Sequence, residues 1–132
     1  AWGEDRFWNP TWIKFREAVT LPQAIEDPEE AAFRQQALAR CLIAYASDMG
    51  LVSTAVLPHQ ASTNRSEIQM ASLDHSLWIH RAAPLDEWLL FHKRTSTAQS
   101  SRGMVHSEFF AESGVLVASM SQEGLLRKRR SD

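Results

Sequence analysis

A chain of 132 residues is enough for one domain, and dividing it further would leave pieces too small to bury a core. With 44% apolar residues, charges of both signs and a net charge of −2, it reads as an ordinary globular protein, with no global field drawing it to nucleic acid or an anionic membrane. No apolar run approaches the ~20 residues of a bilayer span, no signal-peptide core is visible, and the lone Cys41 cannot form an internal disulfide, so a reducing, cytoplasmic setting is expected by default.

The chain opens on Ala1 with AWGEDRFWNPTW, three tryptophans within twelve residues. So aromatic a start suggests a fragment, a processed product, or a segment that rests against something else, with Trp2, Trp8 and Trp12 as core or interface anchors. Residues 11–19 can form a strand. The strongest element follows. Asp27 is a good N-cap, Pro28 suits N1, and Glu29 and Glu30 put negative charge on the positive end of a helix dipole. Phe33, Ala37, Cys41, Leu42 and Tyr45 recur on one helical face, and Gly50 is a stop signal, which predicts a helix over 28–47 with Ser47 and Asp48 at its end.

Everything after the helix reads as extended: a short run over 52–57 stopped by Pro58, a polar loop QASTNRSE, one long strand over 68–80, then strands over 87–97, 103–111 and 115–126, the last two separated by the turn signal ESG. One helix followed by consecutive long strands is an α+β domain in which an antiparallel sheet wraps the helix, the hotdog arrangement, and such a sheet leaves an edge and a face for a partner. An isolated monomer is not expected.

The segments LIAYASDMG (42–50), ASLDHSLWIHR (71–81), DEWLLFHKRTSTAQSSRGMVHSEFF (86–110) and GVLVASMSQEGLLR (114–127) resemble the C-terminal half of type II acyl-CoA thioesterases, in one register from about residue 37 to 127. Members of that family usually carry two hotdog units in one polypeptide, and here only the second is present. The resemblance implies hydrolysis of acyl-CoA thioesters, with a second hotdog unit as partner, from self-association or a separate N-terminal half. It places the family's water-positioning Asp, Ser or Thr, and Gln on Asp48, Ser72 and Gln122.

The chemistry is consistent with those residue types. A thioester is already electrophilic, so the enzyme needs a placed, activated water and a donor for the oxyanion. Asp48, at the negative end of the helix dipole, suits the base; the Ser72 hydroxyl can both donate and accept; and Gln122, alternating with Leu116, Ala118 and Met120 on an apolar strand face, must find hydrogen-bond partners and can orient the water. A backbone N–H near Gly50 is a candidate oxyanion donor. By period-two alternation Met70, Ser72 and Asp74 share a face, so Asp74 and His75 point apart and form no dyad; both read as structural hydrogen-bonding residues near the site. The five histidines, 59, 75, 80, 92 and 106, lack metal-ligand spacing, and neither metal nor cofactor is expected. Leu51, Leu77 and Trp78 are core residues or the border of an acyl channel. The basic stretch Arg127, Lys128, Arg129 and Arg130 is a solvated terminus or steers the anionic substrate. Two rivals stand beside hydrolysis. One is a non-catalytic hotdog half serving as a binding or structural module. The other is a hotdog dehydratase or hydratase, whose chemistry needs a histidine beside a carboxylate, and none adjoins Asp48 in sequence.

Overall fold

The computed structural model describes residues 8–16, 25–60, 62 and 64–129. Its central element is helix α1, Pro28–Ser47, bounded where the local signals place it. The Asp27 side chain accepts a hydrogen bond from the Glu29 N–H at 3.0 Å, and Arg34 is paired with Glu30 one turn earlier at 2.6 Å. The face expected to be buried is not the one that is. Ala39, Ile43, Ala46 and Ser47 turn inward, whereas Phe33 and Tyr45 are 69% and 71% exposed and Cys41 is exposed as well. The sheet contacts a narrow stripe of small and branched side chains, and the larger aromatic stripe faces away.

The chain reverses through Asp48–Gly50, with Gly50 at φ 71°, a left-handed conformation that costs glycine little. Here the expectation of an extended run over 52–57 fails. Leu51–Thr54 form a short helix, α2, followed by a 3-10 turn at Leu57–His59. The reason is tertiary. Gly103 and Gly124 are directly opposed on neighbouring strands, and the absence of side chains there lets α2 lie against the sheet backbone. A Cβ on Gly103 would stand 2.5 Å from the Ala55 Cβ, and one on Gly124 would stand 2.6 Å from Cγ1 of Val52. Leu51, Thr54, Ala55 and Val56 are buried as a result. By length and composition alone, Pro28–His59 holds a window apolar enough to cross a bilayer, a test that the core helix of a globular domain also passes. The stretch is broken at Gly50, and its inner face belongs to the core.

Six strands form one antiparallel sheet curled around α1: β1 (Thr11–Ile13), β2 (Ile68–Ser72), β3 (Ser76–Ile79), β4 (Leu89–Gln99), β5 (Arg102–Ala111) and β6 (Leu116–Lys128). The order is β1-β4-β5-β6-β2, with β3 alongside β2 on the same edge of β6. Inward residues alternate along the long strands, and Phe91 and Phe109, opposed across β4 and β5, stack with centroids 4.3 Å apart beneath Ile43, Leu51 and Met120. Of the strand expected over 11–19, only β1 falls among the described residues from 8 to 16. An antiparallel bridge between Trp8 and Arg94 extends its pairing, and Trp8 stacks on His92.

The strand expected over 68–80 is two strands. β2 pairs with β6 from Ile68 opposite Lys128 to Ser72 opposite Gly124, and β3 resumes with Ser76 opposite Ser121. Residues 73–75 therefore face only Gln122 and Glu123. One residue is in excess, as in a β-bulge. This surplus reverses the phase of alternation. Even-numbered residues of β2 turn inward, but in β3 the odd-numbered Leu77 and Ile79 pack on the core while Trp78 is 53% exposed.

Candidate active site

Three elements converge where the sheet is interrupted. Helix α1 ends at Asp48, β2 ends at Ser72, and β6 passes beneath both with Gln122 pointing inward, 1% exposed. A buried primary amide must satisfy two N–H donors and a carbonyl. The Gln122 Nε2 donates to Asp48 Oδ1 at 3.0 Å and to Ser72 Oγ at 2.6 Å. The Ser72 hydroxyl leans toward the same carboxylate oxygen at 3.4 Å, a long contact. The three residues singled out in the sequence are thus brought together. Asp48 and Ser72 are exposed and border an open depression of about 230 Å³ that also touches Gly50, Arg65 and Met70.

The sequence reading of the DH step needs correction. Asp74 lies in the interruption, not on a strand face with Ser72. Its Oδ1 accepts the Glu123 N–H at 2.7 Å, the ladder hydrogen bond that a regular strand would have supplied from its backbone. His75 is also in the interruption, and in a continuous strand it would point away from Ser72. With the extra residue it turns to the same side, where its Nδ1 lies 2.8 Å from Gln122 Oε1 and its Nε2 lies 2.8 Å from the hydroxyl of Ser47. Ser47 is fully buried and also contacts the Ala44 carbonyl at 2.7 Å. His75 is thus a hydrogen-bonding residue of the site, as the sequence reading had it, but on the side that periodicity denied it, and Ser47 is a member of the cluster that the sequence reading missed. The only signal for Ser47 was adjacency, since it stands beside Asp48.

The other sequence candidates separate. Leu51 is core, Leu77 packs against the core, and Trp78 lies on the outer surface. Arg127, Lys128 and Arg129 are exposed, with Lys128 3.8 Å from Glu67; Arg130, like Trp2, lies outside the described residues. Among the described residues, no three His, Cys, Asp or Glu side chains gather at ligating distance. Elsewhere in the sheet, burial lowers the pKa of Lys93 on β4, and burial together with Arg94 lowers that of His106 on β5, with Glu108 partly opposing. Neither residue touches the cluster.

A family model described as acyl-CoA thioesterase matches residues 22–125. The chain belongs to the acyl-CoA thioesterase family. Mouse acyl-coenzyme A thioesterase 8 is 41% identical over 87 residues, which span 66% of this chain and 27% of the mouse protein. The acyl-CoA thioesterase II TesB2 of Mycobacterium marinum superposes with a TM-score of 0.73 at 35% identity, covering 92% of this chain and 42% of that one. A hot-dog-like protein of Thermanaerovibrio acidaminovorans, at 14% identity and a TM-score of 0.61, shares the fold. This member of the acyl-CoA thioesterase family is therefore a hotdog chain that spans less than half the length of these two family relatives.

Proposed function

We propose that the chain is one hotdog unit that hydrolyses acyl-CoA thioesters to the free acid and coenzyme A, with water held by Asp48, Ser72 and Gln122. One observation carries this reading: a nearly inaccessible amide aims both N–H bonds at a carboxylate and a hydroxyl that border an open depression. A water bound there has Asp48 as the acceptor for its proton and Ser72 to fix its direction, with Gln122 holding those two side chains in place. Its oxygen adds to the thioester carbonyl, and its proton passes to the Asp48 carboxylate. The tetrahedral adduct then collapses with cleavage of the C–S bond, and the proton leaves on the thiol. No covalent enzyme intermediate is needed. His75 contacts Ser47 and Gln122, not Asp48, which disfavours the hydratase reading.

A second hotdog unit is the proposed partner. The outward face of α1 carries Phe33 and Tyr45, Leu73 and Trp78 are exposed beside the site, and among the described residues β3 pairs only with β6, so its other edge is open. The same surface would serve a non-catalytic half whose partner does the chemistry.

The test is release of free coenzyme A from short-, medium- and long-chain acyl-CoAs, read with a thiol-reactive dye beside light scattering. Asp48→Asn, nearly isosteric, should abolish release without lowering the thermal midpoint by more than a few degrees. Equal turnover by wild type and Asp48→Asn would remove Asp48 from the mechanism.

A further inference from the structure

Donors and acceptors can be counted through the whole cluster, and the count leaves little freedom. Asp48, as a carboxylate, only accepts. If the Gln122 amide were reversed, its Oε1 would lie 3.0 Å from Asp48 Oδ1 with no proton between them. The NH₂ must therefore face Asp48 and Ser72, and Oε1 must face His75. A carbonyl oxygen only accepts, so His75 Nδ1, 2.8 Å away, must carry a proton. In the neutral ring Nε2 is then an acceptor, and the available donor is the Ser47 hydroxyl at 2.8 Å, which it shares with the Ala44 carbonyl. A doubly protonated ring leaves the Nδ1–H to Oε1 bond in place.

We propose that His75, seated by Ser47, is a positioning residue that locks the Gln122 amide with its N–H bonds toward Asp48 and Ser72, through an Nδ1–H to Oε1 hydrogen bond. The proposal deepens the hydrolytic reading above and rests on it. An unrestrained primary amide has two nearly equivalent orientations, and only one donates to the carboxylate and hydroxyl that border the water site. The lock runs from a buried serine in the last turn of α1, through a ring set in the interruption between β2 and β3, to a strand side chain. It registers the helix end against the sheet. Ser47 and Asp48 are consecutive, so the residue that seats the lock is tied by one peptide bond to the residue proposed as base.

Three substitutions separate positioning from structure. Asparagine places its amide nitrogen near the site of Nδ1 and can still donate to Gln122; glutamine reaches toward the site of Nε2 and cannot; alanine supplies neither. His75→Ala and His75→Gln should lower kcat about tenfold to a hundredfold with KM nearly unchanged, and His75→Asn should recover most of the loss. In a Gln122→Ala background, His75→Ala should cost less than about twofold more, because a lock has no effect once its bolt is gone. Equal losses for Asn and Gln, or a full additional loss in the Gln122→Ala background, would overturn the positioning role. Nitrogen-15 NMR of the His75 ring gives a readout independent of turnover: neutral rings in water favour the Nε2–H tautomer, and here Nδ1–H is expected, with reversion in Gln122→Ala. A neutral Nε2–H ring in the wild type sinks the proposal outright. No release of coenzyme A by the wild type sinks the hydrolytic reading instead, and release that survives Asp48→Asn sinks only the role of Asp48. An Asp48-dependent enzyme with a flat His75 series sinks only the lock.

Discussion

Adding one methyl group at Gly124 should move a helix. An alanine there would place its Cβ 2.6 and 2.8 Å from the two γ-carbons of Val52 and 3.2 Å from its Cβ. Carbon atoms pack at about 3.5–4.0 Å, so α2 and the sheet must part by about 1 Å. A β-branched valine has no flexible end to swing away. Overpacking of this kind costs about 1–3 kcal/mol, measurable as a lowered urea midpoint at unchanged slope. The functional loss should be larger than the stability loss suggests. Helix α2 follows directly on the Asp48–Gly50 turn, while Gln122 stands two residues before Gly124 on the sheet. A displacement of about 1 Å falls on the Asp48 to Gln122 hydrogen bond and can cost about a hundredfold in kcat. Val52→Ala trims the clashing carbons, so Gly124→Ala should be less harmful in that background than in the wild type. Simple additivity of the two losses, in unfolding and in turnover, would refute the argument, as would a Gly124→Ala variant indistinguishable from wild type.

Other expectations follow from the buried charges and the turn. Lys93 is 4% exposed, its Nζ 3.0 Å from Thr11 Oγ1 and 4.6 Å from the Phe91 ring centre. Its folded pKa lies below the ordinary 10.5, so the unfolded chain holds the proton to higher pH, and stability should rise as pH climbs from the folded value toward 10.5. Lys93→Met should flatten that rise and raise the urea midpoint near neutrality, since the burial cost goes and exposed Thr11 regains water. His106 is likewise shifted below 6.5, so the unfolded chain takes up its proton first and the fold should lose stability as pH falls from 6.5 through the folded value; His106→Gln should weaken this in pH-dependent melts. Ser100 and Ser101 join β4 to β5 with φ of 51° and 61°, and Ser101→Gly should relieve that strain and add about 0.5–1 kcal/mol in chemical denaturation.

The ends of α1 were legible in sequence because capping is local: Asp27 and Pro28 start the helix and Gly50 stops it, whatever the rest of the chain does. Its buried face was not, because Phe33, Cys41 and Tyr45 form a regular stripe that the sheet leaves uncovered. Residues 52–57 looked extended because Val52, Thr54 and Val56 are β-branched, whereas the opposed glycines that receive a helix there lie some fifty and seventy residues away. The candidates Asp48, Ser72 and Gln122 came from resemblance rather than spacing, and strict alternation along 68–80 turned His75, read as a hydrogen-bonding residue near the site, to the wrong side for want of one unpaired residue.

That single surplus residue has a wider consequence. Shortening 73–75 by one would let β2 run into β3 as an unbroken strand, with its own amides and carbonyls replacing the Asp74 contact to Glu123. The sheet would gain regularity, and His75, still directly before Ser76, would stay on the inner face opposite Gln122. Pairing 73–75 residue for residue without shortening them would instead slip β3 by one position along β6, turning His75, Leu77 and Ile79 outward and Trp78 inward. The surplus residue is therefore what lets two strands of opposite phase serve one core, and the register across this segment is as much a part of the site as the identity of its side chains.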